Sequence, residues 1–529
     1  MLTKKTVIAL LLLAVTFSVT AQKEQNNWFF GYNAGLTWNT TRSFTATGML
    51  GAANTTLTGI PTVVTDSKMT TYEGCFSLSD ANGNLLFFSD GITIWDKTKG
   101  PMLDGGTLTG NPSSAQSGVI LPYPGSLTRY VAITLGSRDA NNLSYTIVNM
   151  SLGTAGRGAV EVSPINNKNQ AFTGQLGTLG ESVTAVRHSN KNDFWVIAVG
   201  RAATATTTAF NVWKITEAAG IQKARHSVAS VTHTTTAVVG ADGYIKFTQD
   251  GKRFVWINFN TLAFVYGDFN PTTGIISNLK VRTGAGPTNG RGYGIEFSPS
   301  GKYLYLTYAP GSTNQTGVNT SIDIYDTDAL WAASNPNTVN YVRRFLLPTG
   351  TSDGKSDLFA GIQLGPDNRM YISAFFTSNI FILPNPDTPT TTSLYKLTNV
   401  LGAGATSYWG LPSFAAPWFK MLITLPEKAE CCSEYTTNFP LTIENGMGFS
   451  AVTRIVIDFG DGAPNSTTTI NSPTLGTAIY SYKYKKPGTY TITVTAYNAS
   501  SGVELTQTAS VKVNSCALKV NKHIRSINN

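Results

Sequence analysis

A short hairpin recurs along about three quarters of this 529-residue chain and limits its fold more than any other feature. The best copies are Tyr244-Ile-Lys-Phe-Thr-Gln-Asp-Gly251, Gly294-Ile-Glu-Phe-Ser-Pro-Ser-Gly301 and Gly361-Ile-Gln-Leu-Gly-Pro-Asp-Asn368. Each is an apolar strand closed by a tight polar turn, and each leads into a second apolar strand: Phe254–Asn258, Tyr303–Thr307 and Met370–Ser373. With the weaker copies, seven strand starts fall at 75, 118, 184, 244, 294, 361 and 410, between 43 and 67 residues apart. A hairpin repeated at such a period must stack against its copies to bury its faces, as in a propeller or solenoid. Second strands such as Phe194–Ala198 are apolar at consecutive positions, the pattern of strands covered on both faces rather than on one. The predicted fold is therefore all-β, with a β-propeller over residues 22–425 that has seven blades by this spacing, six and eight remaining open. The aromatic stretch Asn27–Trp38 is predicted to close the ring by completing the blade that begins at Gly410.

The N-terminus predicts the compartment. Lys4 and Lys5 precede an apolar run from Val7 to Val15 and then Val19-Thr20-Ala21, the layout of a secretory signal peptide (residues 1–21) cleaved after Ala21. The run is too short to span a bilayer, so no transmembrane anchor is expected. The chain is expected in the periplasm, on the outer membrane or at the cell surface. Net charge is +9, of which the signal segment supplies +2 and the tail after Asn514 supplies +3, leaving +4 for the rest. Lys and Arg do not cluster with aromatic residues, which argues against nucleic acid as a partner.

Residues 426–514 read as a second, smaller β domain, followed by a loose tail, 515–529. Tyr490, Ile492, Val494 and Ala496 alternate with Thr, as in a strand with one wet face. The Asp458-Phe-Gly-Asp-Gly462 turn, Tyr482-Lys-Tyr484 and Pro487-Gly-Thr-Tyr490 resemble a PKD domain, an Ig-like β-sandwich, with Ile457 where Trp is usual. That resemblance implies a spacer or interaction module. Asp458 and Asp461 read as turn formers rather than calcium ligands. One of Cys431 and Cys432 is expected to bridge Cys516, while Cys75 reads as a buried small apolar residue. No histidine has zinc-site spacing, so neither metal nor cofactor is expected.

In order along the chain, Trp28-Phe-Phe-Gly31, Glu73-Gly-Cys75, Asn82–Gly91, Ile94-Trp95, Gly294–Pro299 and Gly410–Phe414 resemble secreted Bacteroidetes proteins that join a propeller to a PKD domain and are associated with gliding motility or type IX secretion. The resemblance implies a place in the cell envelope and supplies no catalytic residues.

No His-Glu-x-x-His helix is present, and no Gly-x-Ser-x-Gly elbow has suitable neighbours. If the inner strands line a channel, polar residues at or just before them converge there. These are Glu73, Gln116, Glu181, Arg187, Lys246, Arg291, Glu296 and Gln363, a mixed set suited to a polar ligand or to pairing among themselves. The leading expectation is a non-enzymatic binding or scaffold protein with a protein or polysaccharide partner, serving adhesion or the motility and secretion machinery. The alternative is a carbohydrate-active hydrolase or lyase, with Glu181 and Glu296 as its carboxylates and Tyr293, Tyr408 and Trp409 stacking on sugars.

Overall fold

The structure is a computed structural model that describes residues 23–516 apart from 81–82, 127, 139, 191, 203–205, 233–241, 260–261, 288–289, 311–318, 349–357, 416–419, 424–429, 445–451, 475 and 499–502. The segment read as a signal peptide and most of the tail lie outside the described residues. Its contacts divide the chain into two units, Gln22–Lys420 with Ile443–Ser450, and Met421–Thr442 with Ala451–Asn529. The expected domain boundary at 425/426 falls outside the described residues.

The larger unit is a β-propeller. Six antiparallel sheets start from inner strands Phe76–Ser79, Gly118–Pro122, Thr178–Arg187, Ile245–Phe247, Gly290–Phe297 and Phe359–Leu364, each strand pairing with the next outward. Successive inner strands lie side by side. The seventh unit comes from the N-terminus: Asn27–Phe30 pairs with Ala34–Gly48, which pairs with Thr55–Val63. Asn27–Phe30 sits beside Phe76–Ser79, with the Ser77 hydroxyl donating to the Asn27 carbonyl at 2.6 Å. The last residues of Ala34–Gly48 pair with Tyr395–Leu397, the outer strand of the preceding sheet, which joins the first and last units.

The recurring turns have a backbone cause. Gly83, Gly251, Gly301 and Asn368 stand at the same place in their hairpins, and all have positive φ, between 61° and 87°. Glycine adopts that conformation freely and asparagine is among the few other residues that tolerate it. Between sheets the packing is apolar: Trp195, Trp213 and Trp256 are fully buried, and their indole N–H groups donate to Pro271, Thr173 and Ser182 of neighbouring segments. Leaving those donors unpaired would cost about 1–3 kcal/mol each, so each tryptophan fixes the spacing of its sheets as well as filling it.

One expectation is corrected. Gly410–Phe414 forms no strand. Pro412 has no N–H to give a ladder, and the segment instead bridges the two ends of the ring. Tyr32 and Thr406 exchange two backbone hydrogen bonds (2.8 and 2.9 Å), the Trp409 N–H donates to Tyr72, the Trp409 carbonyl accepts from Gly361, and the Ser413 N–H donates to Cys75.

The smaller unit is a β-sandwich. One sheet has the order Glu430–Cys432, Val503–Asn514, Gly488–Asn498, Val452–Asp458, Thr467–Asn471, and Thr436–Glu444 pairs with Gly476–Lys483 in the other. Ile457, Phe459, Ile492, Val494 and Ala496 form its core. Asp458 accepts from the Gly460 N–H (2.9 Å), and Asp461 accepts from the Ala463 N–H (3.0 Å) and the Tyr482 hydroxyl (2.7 Å), so both carboxylates serve the turn. Cys432 and Cys516 are bonded, whereas Cys431 and Cys75 are buried free thiols. One α-helix, Thr327–Ala332, occurs among the described residues, and no described helix is long and apolar enough to cross a membrane.

Candidate functional site

Because the inner strands run side by side, residues at their starts meet at one end of the ring. Bulges sharpen this convergence. The ladders of Thr178–Arg187, Gly290–Phe297 and Phe359–Leu364 slip between Leu179 and Val183, Gly292 and Ile295, and Phe359 and Ile362. A bulge re-aims the side chains it carries, and Glu181 and Tyr293 sit within two of these. Glu73 and Asp242 lie just before the inner strands Phe76–Ser79 and Ile245–Phe247. The result is a cavity of about 290 Å³ whose lining includes Glu73, Ser137, Arg138, Glu181, Phe259 and Tyr293.

The cavity is rich in carboxyl groups. Arg138 binds buried Asp242, with Nε at 2.9 Å and Nη2 at 2.7 Å from one oxygen. Glu181 is held by backbone: Oε1 accepts from the Arg138 N–H at 2.9 Å and Oε2 from the Ala115 N–H at 3.2 Å. Burial first, then the Asp242 charge, pushes its carboxyl up to about 7, against the pull of those N–H groups and Arg138. Glu73 is pushed well above the ordinary carboxylate range, by burial first and then by Glu181 and Asp242. Its carboxyl accepts no hydrogen bond from a described residue. The Tyr293 hydroxyl, on a side chain only 1% exposed, stands close to the Tyr244 hydroxyl without the geometry of a well-formed hydrogen bond. These are the physical terms by which a site keeps carboxylic acids protonated near neutral pH.

Farther along the same strands the predicted residues satisfy one another. Lys246 reaches Glu296 (3.2 Å) and Gln363 (2.5 Å), while Glu296 also accepts from the backbone of Phe297 and Leu364. Gln116 pairs with both backbone groups of Ile245, on an inner strand two units away, and so fills the channel. Arg187 lies at the far end of its strand from Glu181, and Arg291 lies over the Phe259 ring at 5.6 Å. Of the eight predicted residues, Glu73 and Glu181 therefore meet in the cavity, Arg291 stands near it, Lys246, Glu296 and Gln363 form a closed network, and Gln116 and Arg187 stand elsewhere.

An aromatic ridge runs from the cavity to the surface. Trp409 lies 5.1 Å from Tyr293, 6.2 Å from Phe259 and 4.5 Å from Phe375. Next to it, Tyr408 packs on Tyr32 (4.7 Å), Phe376 (5.0 Å) and Tyr72 (5.1 Å). Tyr293 and Tyr408 are buried, whereas Tyr72 and Phe376 are 51% and 45% exposed. Phe376 also has φ +59°, a conformation that costs a bulky residue about 1–3 kcal/mol and holds its ring at the surface. The ridge depends on Gly410: a Cβ there would stand 1.9 Å from the Glu73 carbonyl oxygen.

Sequence reasoning missed Asp242, Arg138, Phe259, Tyr72 and Phe376. Asp242-Gly243 repeats the pattern of Glu73-Gly74, an acid before a small residue at a strand start, so that signal was present. Arg138 and Phe259 belong to loops between outer strands, whose return to the axis no local pattern announces.

Residues 439–511 match the PKD domain family. A comparison with curated proteins finds no similar sequence. Among solved structures, a candidate 6-phosphogluconolactonase from Bacteroides fragilis is 12% identical with a TM-score of 0.35, over 85% of this chain and 98% of that one. A periplasmic gluconolactonase of Pseudomonas aeruginosa is 12% identical with a TM-score of 0.35, over 73% and 97%. An alpha-L-arabinanase of Penicillium chrysogenum, in complex with arabinobiose, is 9% identical with a TM-score of 0.32, over 62% and 90%. At these scores the likeness carries no functional argument.

Proposed function

We propose that this chain is an extracytoplasmic, non-enzymatic binding protein of the cell envelope whose propeller takes a saccharide at its acidic, aromatic-rimmed cavity. The observation that carries this reading is the continuity of the ridge with the cavity. Exposed rings at Tyr72 and Phe376 offer flat apolar faces, and the groups just behind them offer hydrogen bonds to hydroxyls. The N-terminal segment read as a signal peptide supports the compartment, and the PKD domain fits a spacer. Adhesion at the surface, or service to motility or secretion machinery, is the role in which such a protein acts without catalysis. The test is isothermal titration of the purified protein against arabinan, xylan, mannan, β-glucan, chitin and chitosan fragments. Binding to at least one, weakened by Tyr72→Ala, is expected; binding to none refutes the reading. Protease added to intact host cells then separates surface from periplasm.

A second reading, a glycoside-cleaving enzyme, is favoured by one observation: Glu73 and Glu181 share a cavity and both resist ionisation, as a general acid must. Release of reducing ends from a bound glycan decides between the two.

A further inference from the structure

We infer that the propeller cavity takes a primary ammonium group carried by an amino sugar, held by Glu73 and Glu181 against the rings of Phe259 and Tyr293. The inference rests on the saccharide-binding reading above and names the chemical class of saccharide.

The first ground is a shortage of positive charge. Glu181 and Asp242 stand close enough to Glu73, and Asp242 close enough to Glu181, to raise the proton affinity of both glutamates, and Arg138 is the one cation among the described residues that line the cavity. Its side chain is committed: both Nε and Nη2 point at Asp242. Lys246 is engaged by Glu296 and Gln363 and is not available. Two carboxyl groups are thus left facing the cavity with no cation of their own, and bringing one to them restores their charged forms. An anionic ligand would meet like charge, and a neutral hydroxyl would leave the shortage in place.

The second ground is independent of charge. The Tyr293 hydroxyl is buried and belongs to a residue lining the same cavity; the Tyr244 hydroxyl stands close to it, outside good hydrogen-bond geometry, and neither hydroxyl makes a well-formed bond. An ammonium has three N–H donors and no acceptor. Glu73, Glu181 and the Tyr293 oxygen supply three acceptors, the Tyr293 ring adds cation–π attraction, and Phe259, which already carries Arg291 over its ring, adds an apolar wall. An amino sugar fits better than a lysine side chain because the mouth is edged by rings. Tyr72 precedes Glu73 directly and Tyr408 precedes Trp409, so a sugar whose amine is seated inside has its ring plane against them.

The test compares the glucosamine tetrasaccharide with its fully N-acetylated counterpart by isothermal titration at low ionic strength, using the full chain. The two differ in the ammonium, which N-acetylation removes. At least tenfold tighter binding of the free amine is expected, with the preference lost in Glu73→Gln and Glu181→Gln. The ligand comparison needs no variant, so a variant that fails to fold does not leave the matter open. Equal affinity, or preference for the acetylated form, overturns the ammonium. Binding of other glycans but of neither tetrasaccharide overturns it while the saccharide reading stands. Tight binding of a tetralysine peptide with none of either sugar overturns the amino-sugar assignment and the saccharide reading together.

Discussion

Raising the pH from 5 to 8 is expected to destabilise the propeller, and Glu181 is the residue through which the effect can be isolated. Its carboxyl group, ordinarily near 4.5, is pushed up to about 7 in the folded protein. Below the lower value both folded and unfolded chains hold the proton, and the residue is neutral with respect to stability. Between the two values the unfolded chain releases a proton that the folded chain keeps, so stability falls as the pH rises, and the loss is complete above about 8. A shift of about 2.5 pH units at 1.36 kcal/mol each gives about 3 kcal/mol. For a unit of roughly 400 residues, unfolding entropy of about 2.1 cal/mol/K per residue turns that into about 4 °C. Glu181→Gln removes the titration but introduces its own cost. The amide sets an NH2 where the protonated carboxyl of the parent still presents a hydroxyl oxygen, so either the Arg138 or the Ala115 N–H loses its acceptor and faces an N–H, at about 1–3 kcal/mol. The variant should therefore be less stable than the parent at pH 5, with the gap closing by about 4 °C by pH 8. Differential scanning calorimetry at pH 5, 6, 7 and 8 measures both curves. Glu73, whose carboxyl is raised in the same direction and in part by Glu181 itself, is relieved of that charge in the variant, so its own loss of stability with rising pH is smaller there and adds to the closing of the gap. Parallel curves for parent and variant would refute the reasoning.

Three further outcomes follow from the packing. Gly410→Ala places a methyl 1.9 Å from the Glu73 carbonyl, so the bridging segment must move, and both melting temperature and saccharide affinity should fall; an unchanged melt contradicts the close approach. Lys246→Met strands the Glu296 carboxylate in the channel and should cost about 3–5 kcal/mol by denaturant titration, with Lys246→Met/Glu296→Gln recovering part of it; a loss under 1 kcal/mol would show the network to be solvated. Cys432→Ser opens a link spanning 84 residues and, by loop entropy, should lower the stability of the PKD-containing unit by up to about 4–5 kcal/mol; an unshifted calorimetric transition for that unit counts against it.

The propeller was legible because its determinants are local. A turn that demands positive φ selects Gly or Asn at a fixed offset, as at Gly251, Gly301 and Asn368, and a strand covered on both faces is apolar throughout, as at Phe194–Ala198. The last copy misled because Gly410-Leu-Pro-Ser-Phe414 carries the strand composition but not the donor at Pro412, and because its partners are distant in sequence. Of the candidate site, Glu73 and Glu181 were readable from their place at strand starts. Arg138, Phe259 and Phe376 were not, since a loop reaches the axis only through contacts made after the blades are stacked. Nor does a list of polar channel residues separate those that face a cavity from those that neutralise each other. Lys246, Glu296 and Gln363 look like Glu73 in sequence, and only distance sorts them.

The joining of the first and last sheets also governs the order in which this protein can fold. Thr47 and Gly48 pair with Lys396 and Tyr395, and Arg42 donates to the Val400 carbonyl across 358 positions. Their partners are among the final propeller residues to be made. Until then the outer part of the strand Ala34–Gly48 is an unsatisfied edge, open to pairing with any other chain. Loop closure over that span must precede the contacts that reward it, so ring closure is expected to be slow relative to hairpin formation within each sheet. A chain cut short before residue 359 would hold five of the six sheets with the N-terminal strands and still expose that edge, so loss of the final sheet should appear as aggregation rather than as a smaller soluble propeller.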